Sequence, residues 1–200
     1  MKKIEVGAKN FLYPMPTTLV GANVAGKPNY ITIAHVGIMN YTTISISMNK
    51  RHYTNPGIME NGTFSVNVPS SKMVKVTDYC GMVSGKDVDK GALFETFYGK
   101  LKTAPMIQEC PVNMECKLIQ TLDLSTHEIF IGEIVATYCD EQCLTAGKGE
   151  DLPKVDPILF SMSGARYWRV GEQFARAWDA GKELKSKEEK LNSPPAVAKD

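Results

Sequence analysis

The chain has 200 residues, of which 43% are hydrophobic and 22% are charged, and this suits one globular domain with a substantial core. The formal net charge of +1 provides no broad field to attract nucleic acid or an anionic membrane, so both are excluded as partners. No apolar run approaches the roughly 20 residues that span a bilayer, and charges interrupt the first residues before a signal peptide could form, so a cytoplasmic protein is expected.

The first predicted elements form a hairpin, with a strand at residues 16–24 and a turn at residues 25–28. Within it, the stretch from Gly21 to Lys27 nearly completes a Walker A phosphate loop. Pro28 stands where that motif needs a magnesium-binding hydroxyl, and a strand follows where the motif needs a helix. Nucleotide hydrolysis is therefore excluded.

Two alternating segments follow, at residues 30–37 and 43–49. In the second, Ile44, Ile46 and Met48 alternate with small polar residues, which is the period of a strand with one face in a core. The opposite faces carry compact side chains that leave room for a flat ligand to approach the backbone. A half-exposed antiparallel sheet is the alternative interpretation.

A short helix is predicted immediately after these strands. Thr54 is a good N-cap, Pro56 is tolerated in the first turn, and Asn61-Gly62 provides the stop. The free N–H groups of the helix start, the Arg51 guanidinium and the Thr54 hydroxyl together suit a phosphate. A capped surface helix with a solvated arginine is the competing interpretation.

The rest of the chain contains more predicted strands than helices. Strands are expected at residues 63–68, 116–122, 128–137 and 158–160, a helix from a cap at Ser70 or Ser71 to Gly81, and a weak helix at 171–182. Polar loops are expected at 84–90 and 141–157. Such a run of strands favours a closed or partly closed antiparallel barrel. The charged tail from residue 183 onward is predicted to be mobile.

The five cysteines are expected to be reduced thiols, because an odd number does not suit a disulfide framework. Two pairs lie close enough in sequence to suggest a metal site: Cys110 with Cys116, and Cys139 with Cys143. Neither spacing matches a zinc knuckle, and no histidine pair accompanies them. No metal site is therefore predicted.

A series of short motifs extends through most of residues 8–182. The motifs are Gly26-Lys27-Pro28-Asn29, Thr32-Ile33-Ala34, Ser45-Ile46-Ser47, Arg51-x-x-Thr54, Asp78-Tyr79-Cys80-Gly81, Ser84-Gly85-Lys86-Asp87, Glu115-Cys116-Lys117-Leu118 and Pro157-Ile158-Leu159-Phe160. In this order they resemble the flavoredoxin and flavin reductase-like family of FMN-binding split-barrel proteins. The resemblance implies a mainly β fold, an antiparallel split β-barrel with a few short flanking helices, in one domain at residues 1–182.

The resemblance also implies which residues contact FMN. The isoalloxazine and ribityl groups are expected at Asn29, Thr32, Ala34, Ser47 and Met48, the phosphate at Arg51 and Thr54, and the opposite wall at Cys80, Gly81, Ser84 and Lys90. His127 aligns with a family histidine on the nicotinamide side and is the candidate catalytic residue; taken alone, it would more often be a surface histidine at a strand end. His35 and residues 40–42 depart from the family pattern, which bears on substrate choice more than on flavin binding.

Three hypotheses for the function follow. The first is an FMN-binding oxidoreductase that takes a hydride from NADH or NADPH and passes electrons to a small molecule or a redox protein. No G-x-G-x-x-G fingerprint is present, so the nicotinamide would bind transiently against the flavin. The second is a flavoredoxin-like electron carrier without NAD(P)H activity, and the third is a flavin-free binding protein on the same barrel. By resemblance a homodimer is expected, with Tyr167-Trp168 as candidate interface residues.

Overall fold

The computed structural model describes residues 1–147 and 149–185, and the chain divides into two compact units, residues 1–170 and 171–200. In the second unit, turns occupy residues 177–181 and helical residues appear only at 182–185. The weak helix expected at 171–182 is therefore wrong, because Trp178 has a left-handed φ of 59° that interrupts a right-handed helix. Residues 186–200, most of the tail predicted to be mobile, lie outside the described residues.

The first unit is built mainly from antiparallel strands, which confirms the predicted fold class. The strands are β1 (Met15–Pro16), β2 (Thr18–Val24), β3 (Lys27–Ile33), β4 (Val36–Asn40), β5 (Thr43–Asn49), β6 (Thr63–Val68), β7 (Thr96–Phe97), β8 (Met106–Ile107), β9 (Val112–Asp123), β10 (His127–Cys139), β11 (Leu159–Ser161) and β12 (Arg166–Trp168). The helices are α1 (Asn55–Asn61), α2 (Val74–Met82) and α3 (Leu152–Val155), with single 3₁₀ turns at Ser71–Met73, Gly91–Leu93 and Glu141–Cys143.

The main sheet has the strand order β3-β2-β6-β9-β10-β5-β4. The chain passes directly from β3, at one edge, to β4, at the other edge, through Ala34 and His35. The Ser47 N–H of β5 donates a hydrogen bond of 2.8 Å to the His35 carbonyl, which extends the pairing of β4 with β5 to His35. The alternating segment at residues 30–37 is thus two strands rather than one.

The barrel core is formed by the alternate rows that the sequence predicted. Ile44, Ile46 and Met48 on β5, and Phe64 and Val66 on β6, are all buried in one hydrophobic cluster. A second cluster lies under α2 and contains Leu19, Tyr30, Cys80, Ile107 and Cys110. A smaller sheet of β1, β11 and β12 lies in the same unit. All five cysteines are free thiols, and four of them are buried.

A buried polar cluster, formed by Asn67, Asn113 and Glu115, fixes the irregular segment between β7 and β9. The Asn67 amide accepts hydrogen bonds from the Ile107 N–H (3.1 Å) and from Asn113 Nδ2 (2.8 Å), and it donates to the Leu19 carbonyl (2.8 Å). The Glu115 carboxylate accepts from the N–H groups of Lys100 and Leu101. Side chains therefore replace ladder bonds where the chain has little regular structure.

Within residues 1–147 and 149–185, no helix has both the length and the apolar character needed to cross a membrane.

Candidate functional site

All three histidines of the chain, His35, His52 and His127, line one cavity of about 340 Å³, named here the histidine cavity. The rings of His35 and His127 meet edge to face, with centroids 6.2 Å apart. The register of the sheet brings these residues together, because His127 at the start of β10 lies opposite Asn49 at the end of β5. The volume is in the range of small-molecule sites. Among the described residues, no three His, Cys, Asp or Glu side chains are grouped so that they could hold a metal ion.

Two walls of the histidine cavity contain residues that the sequence predicted. Thr32, Ala34 and Ser47 line it from the barrel, and Gly81 lines it from α2. A Cβ at Gly81 would lie 3.2 Å from the Thr32 Cβ, so the glycine allows α2 to approach β3 closely. The Thr32 hydroxyl donates to the Thr77 carbonyl of α2, which joins the two walls.

A third wall was not predicted from the sequence. It consists of Thr17, Phe160, Met162 and Tyr167, which lie on or beside the small sheet of β1, β11 and β12. The Tyr167 hydroxyl donates a 2.7 Å hydrogen bond to Asp78 Oδ1 on α2, so this wall is attached to the helix. Burial, and then the Asp78 carboxylate, raise the pKa of Tyr167 to about 12, which keeps the phenol protonated.

His52 also lines the histidine cavity, and it belongs to the turn between β5 and α1. Burial is the main reason that the pKa of His52 is lowered from its ordinary value, and nearby His127 and Lys90 lower it further. The imidazole is therefore neutral at pH 7. The sequence signal was its place inside the Arg51-x-x-Thr54 motif, where the prediction selected the flanking residues and omitted His52.

A second cavity of about 340 Å³ continues along β3, and it is named here the lysine cavity. It is lined by Lys27, Lys86 and Lys90 together with Asn29, Tyr53, Gly85 and two aspartates. The same three segments line both cavities: β3, the turn after β5, and the chain from α2 to residue 90. Asn29 and Lys90, which were predicted to share a site with Thr32 and Ala34, thus lie in this neighbouring cavity.

Two predicted ligand groups already have protein partners. The Lys90 side chain is 2% exposed, and its Nζ donates to the carbonyls of Cys80 (2.9 Å) and Val83 (3.0 Å), which fastens the end of α2. Thr54 occupies the N-cap position, but its hydroxyl makes no capping bond and instead accepts a 2.8 Å hydrogen bond from Asn29 Nδ2. The prediction of a side-chain cap at Thr54 is therefore wrong.

The remaining predicted residues lie outside the linings of both cavities. Met48 and Cys80 are fully buried in the two hydrophobic clusters, because each lies on a core-facing row of its element. Their side chains therefore do not reach a cavity, and only their backbone atoms remain as candidate contacts. The Ser84 hydroxyl accepts a hydrogen bond from the backbone N–H of Lys86 (3.2 Å). Arg51 is exposed, and its backbone N–H donates to Asn49 Oδ1 (3.0 Å).

Comparison with known proteins gives consistent matches over most of the chain. The family description "flavin reductase like domain" matches residues 10–168. An uncharacterized protein of Archaeoglobus fulgidus is 30% identical over 140 residues, which are 68% of this chain and 78% of that protein. The crystal structure of flavoredoxin from Methanosarcina acetivorans is 50% identical, covers 92% of this chain and 100% of its own, and has a TM-score of 0.89.

Two further solved structures extend the comparison. Flavoredoxin of Desulfovibrio vulgaris (Miyazaki F) is 37% identical, covers 90% of this chain and 100% of its own, and has a TM-score of 0.84. A structure from Shewanella frigidimarina, described as having a split barrel domain, is 20% identical, covers 81% of this chain and 84% of its own, and has a TM-score of 0.71. At that identity the likeness concerns the fold alone.

Proposed function

The chain belongs to the family of flavin reductase-like domains, and from that membership and the histidine cavity we propose that it is an FMN-binding redox protein. The observation that carries the proposal is the composition of the cavity walls. Small residues, Ala34, Ser47 and Gly81, contribute to these walls, and two other lining residues, Thr17 and His52, carry buried polar atoms without partners. A flat heteroaromatic ring with a polar edge suits such a site.

Different residues of the chain would contact different parts of FMN. The ring would contact the barrel wall at Thr32, Ala34 and Ser47, with Gly81 on the facing wall. The phosphate would be held by Arg51, an exposed residue that directly precedes His52 in the turn after β5. Bound FMN supplies the electron-transfer chemistry, and the protein supplies orientation, electrostatics and restricted access.

Two forms of this function differ in the source of electrons. Exchange of electrons with a redox partner, as in an electron carrier, is supported by the two similar structures described as flavoredoxins, which are 50% and 37% identical. Reduction by NADH or NADPH is supported by His127, which lines the cavity together with His35.

The cofactor proposal is tested on protein purified without added flavin and then titrated with FMN. The expected result is a yellow protein, or apoprotein that quenches FMN fluorescence at a stoichiometry of one per chain. A chain that neither carries nor takes up FMN would instead be the flavin-free binding protein of the third hypothesis.

The electron source is tested by anaerobic mixing of the FMN-loaded protein with NADH or NADPH. Bleaching that saturates only at high nucleotide concentration, and that slows in His127→Ala while FMN stays bound, establishes the reductase form. A flavin that stays oxidised with both nucleotides but accepts electrons from dithionite or a redox protein contradicts the reductase form and favours the carrier form.

A homodimer is also proposed, because the family resemblance implies one. Of the two candidate interface residues, Tyr167 donates its hydroxyl hydrogen bond to Asp78 within the chain. Trp168 is 51% exposed, and its Nε1–H donates to Ser161 Oγ (2.8 Å). Light scattering of the FMN-loaded protein should give about twice the monomer mass of 22.1 kDa. A mass near 22.1 kDa at micromolar concentration contradicts the dimer.

A further inference from the structure

Two residues that line the histidine cavity each have a buried polar atom without a hydrogen-bond partner. Among the described residues, four buried side-chain atoms are unpartnered: Thr17 Oγ1, His52 Nδ1, Asn55 Oδ1 and Thr77 Oγ1. The first two belong to residues that line the cavity. Buried polar groups without partners are rare in folded proteins and each needs an explanation, of which a bound ligand is one.

Thr17 differs from the threonine next to it in the use of its hydroxyl. Both residues are almost fully buried, with Thr17 1% exposed and Thr18 2% exposed. The Thr18 hydroxyl donates to the Ile33 carbonyl (2.9 Å), whereas the hydroxyl of Thr17, a residue that lines the cavity, is buried without a partner. The Thr17 N–H donates to the Ile158 carbonyl (2.9 Å), so the backbone holds this residue in place.

The backbone also fixes His52 on both sides. Its N–H donates to the Asn49 carbonyl (3.0 Å), and its carbonyl accepts from the Asn55 N–H (3.2 Å). The ring is neutral at pH 7, because burial lowers its pKa, so one ring nitrogen donates and the other accepts. A change of tautomer exchanges these two roles.

We propose that Thr17 Oγ1 and His52 Nδ1 bind the polar edge of the flavin ring directly, a proposal that rests on the FMN function above. Both groups can donate or accept a hydrogen bond, the hydroxyl by rotation and the imidazole by a change of tautomer. Two-electron reduction of bound flavin, by a nicotinamide or a redox partner, would also add a proton to a ring nitrogen and so convert an acceptor to a donor. The same two contacts therefore serve the oxidised and the reduced cofactor.

The adjacent threonines provide a matched pair of variants, Thr17→Val and Thr18→Val. Thr17→Val removes a hydroxyl without a protein partner, so the thermal midpoint of the apoprotein should be unchanged while FMN binds about 2- to 12-fold more weakly, the usual net effect of one hydrogen bond. Thr18→Val removes the buried side-chain hydrogen bond to the Ile33 carbonyl, so it should lower the thermal midpoint with FMN affinity within twofold. Unchanged FMN affinity in Thr17→Val, or a lowered apoprotein midpoint in that variant, overturns the role of Thr17.

His52 is tested by the contrast between His52→Leu and His52→Asn. An asparagine amide reaches about the position of Nδ1 and can both donate and accept, whereas leucine fills space without polar atoms. His52→Leu should weaken FMN at least as much as Thr17→Val does, and His52→Asn should recover most of the loss. Equal losses in the two variants show that the ring acts through its shape and overturn the contact.

The persistence of both contacts is tested by the redox potential of bound FMN. Thr17→Val should weaken oxidised and reduced FMN by the same factor within twofold, so the midpoint potential of the bound cofactor should stay unchanged. A loss confined to one redox state overturns the exchange of donor and acceptor roles. If the wild-type chain fails to bind FMN, the proposed function itself is wrong; if it binds FMN and the four variants behave alike, only this inference is wrong.

Discussion

The buried polar cluster and the histidine cavity both place polar side chains inside the same barrel unit, but they use them differently. In the cluster, Asn67 and Glu115 have partners for both polar atoms of their side chains, and Asn113 Nδ2 donates to Asn67 Oδ1 and to the Ile107 carbonyl. In the cavity, Thr17 and His52 each keep a buried atom unpaired. The comparison indicates that polar groups of the first kind stabilise the fold, whereas those of the second kind are available to a ligand.

The largest effect is expected from Glu115→Ala in the buried polar cluster. The carboxylate is fully buried and accepts from the Lys100 N–H (2.9 Å), the Leu101 N–H (2.6 Å) and the Tyr138 hydroxyl (2.9 Å). Its removal leaves three donors without an acceptor, so the free energy of unfolding should fall by about 3 kcal/mol or more. Urea unfolding measures this loss.

The matched control for Glu115→Ala is Glu133→Ala, which removes an exposed carboxylate from β10. Its free energy of unfolding should stay within about 0.5 kcal/mol of wild type. The folded fraction of Glu115→Ala should bind FMN as wild type does. Weaker FMN binding by that folded fraction would break the separation between the cluster and the cavity.

The second effect concerns the charged end of the ligand. Arg51→Ala should weaken FMN by about 1.5 to 3 kcal/mol and leave riboflavin almost unchanged, because only FMN loses a charge-assisted contact. Lys86→Ala is the control, since it removes a cation from the lysine cavity instead. A larger FMN loss in Lys86→Ala than in Arg51→Ala would place the phosphate in the lysine cavity.

A smaller effect is expected where the cavity wall contains a satisfied polar pair. Tyr167→Phe removes the hydroxyl that donates to Asp78, so it should lower the free energy of unfolding by about 1 kcal/mol, as a member of the cluster would, while FMN affinity changes little. Tyr79→Phe alters an exposed residue next to Asp78 in sequence and should leave both the free energy of unfolding and the FMN affinity unchanged. If Tyr167→Phe weakens FMN without loss of stability, this pair belongs with Thr17 and His52 instead.

The sequence predicted the elements whose pattern is local. The alternation of Ile44, Ile46 and Met48 placed the core face of β5, and Pro56 with Gly62 gave the bounds of α1. The two- and three-residue strands β7, β8 and β12 were missed because they are too short to show a period.

The parts of the site that escaped prediction depend on contacts between distant segments. The break between β3 and β4 exists because Ile33 pairs with Thr18 of β2, whereas Val36 pairs with Ile46 of β5 at the other edge of the sheet. The three histidines meet through the register of β5 with β10, which no short window reveals. Nothing local distinguishes Thr17 from Thr18; only the fold gives one hydroxyl a carbonyl partner and leaves the other buried without one.

The smallest expected effect is on the pH dependence of stability, because the His52 ring is only half-buried and solvent screens part of its interaction. The folded apoprotein holds the pKa of His52 below its ordinary value of 6.5, chiefly by burial, so the unfolded chain binds a proton more readily than the folded one. The stability of the folded state that depends on neutral His52 is fully present above pH 6.5. It falls as the pH drops below that value, because the unfolded state takes up the proton first. His52→Asn should remove this component, so urea unfolding of the apoprotein between pH 7 and pH 5 should show a shallower loss than wild type. If the stability of His52→Asn falls with pH as steeply as that of wild type, His52 is solvated in the apoprotein. This histidine would then resemble the exposed groups of the molecule rather than the buried polar atoms of Thr17 and the polar cluster.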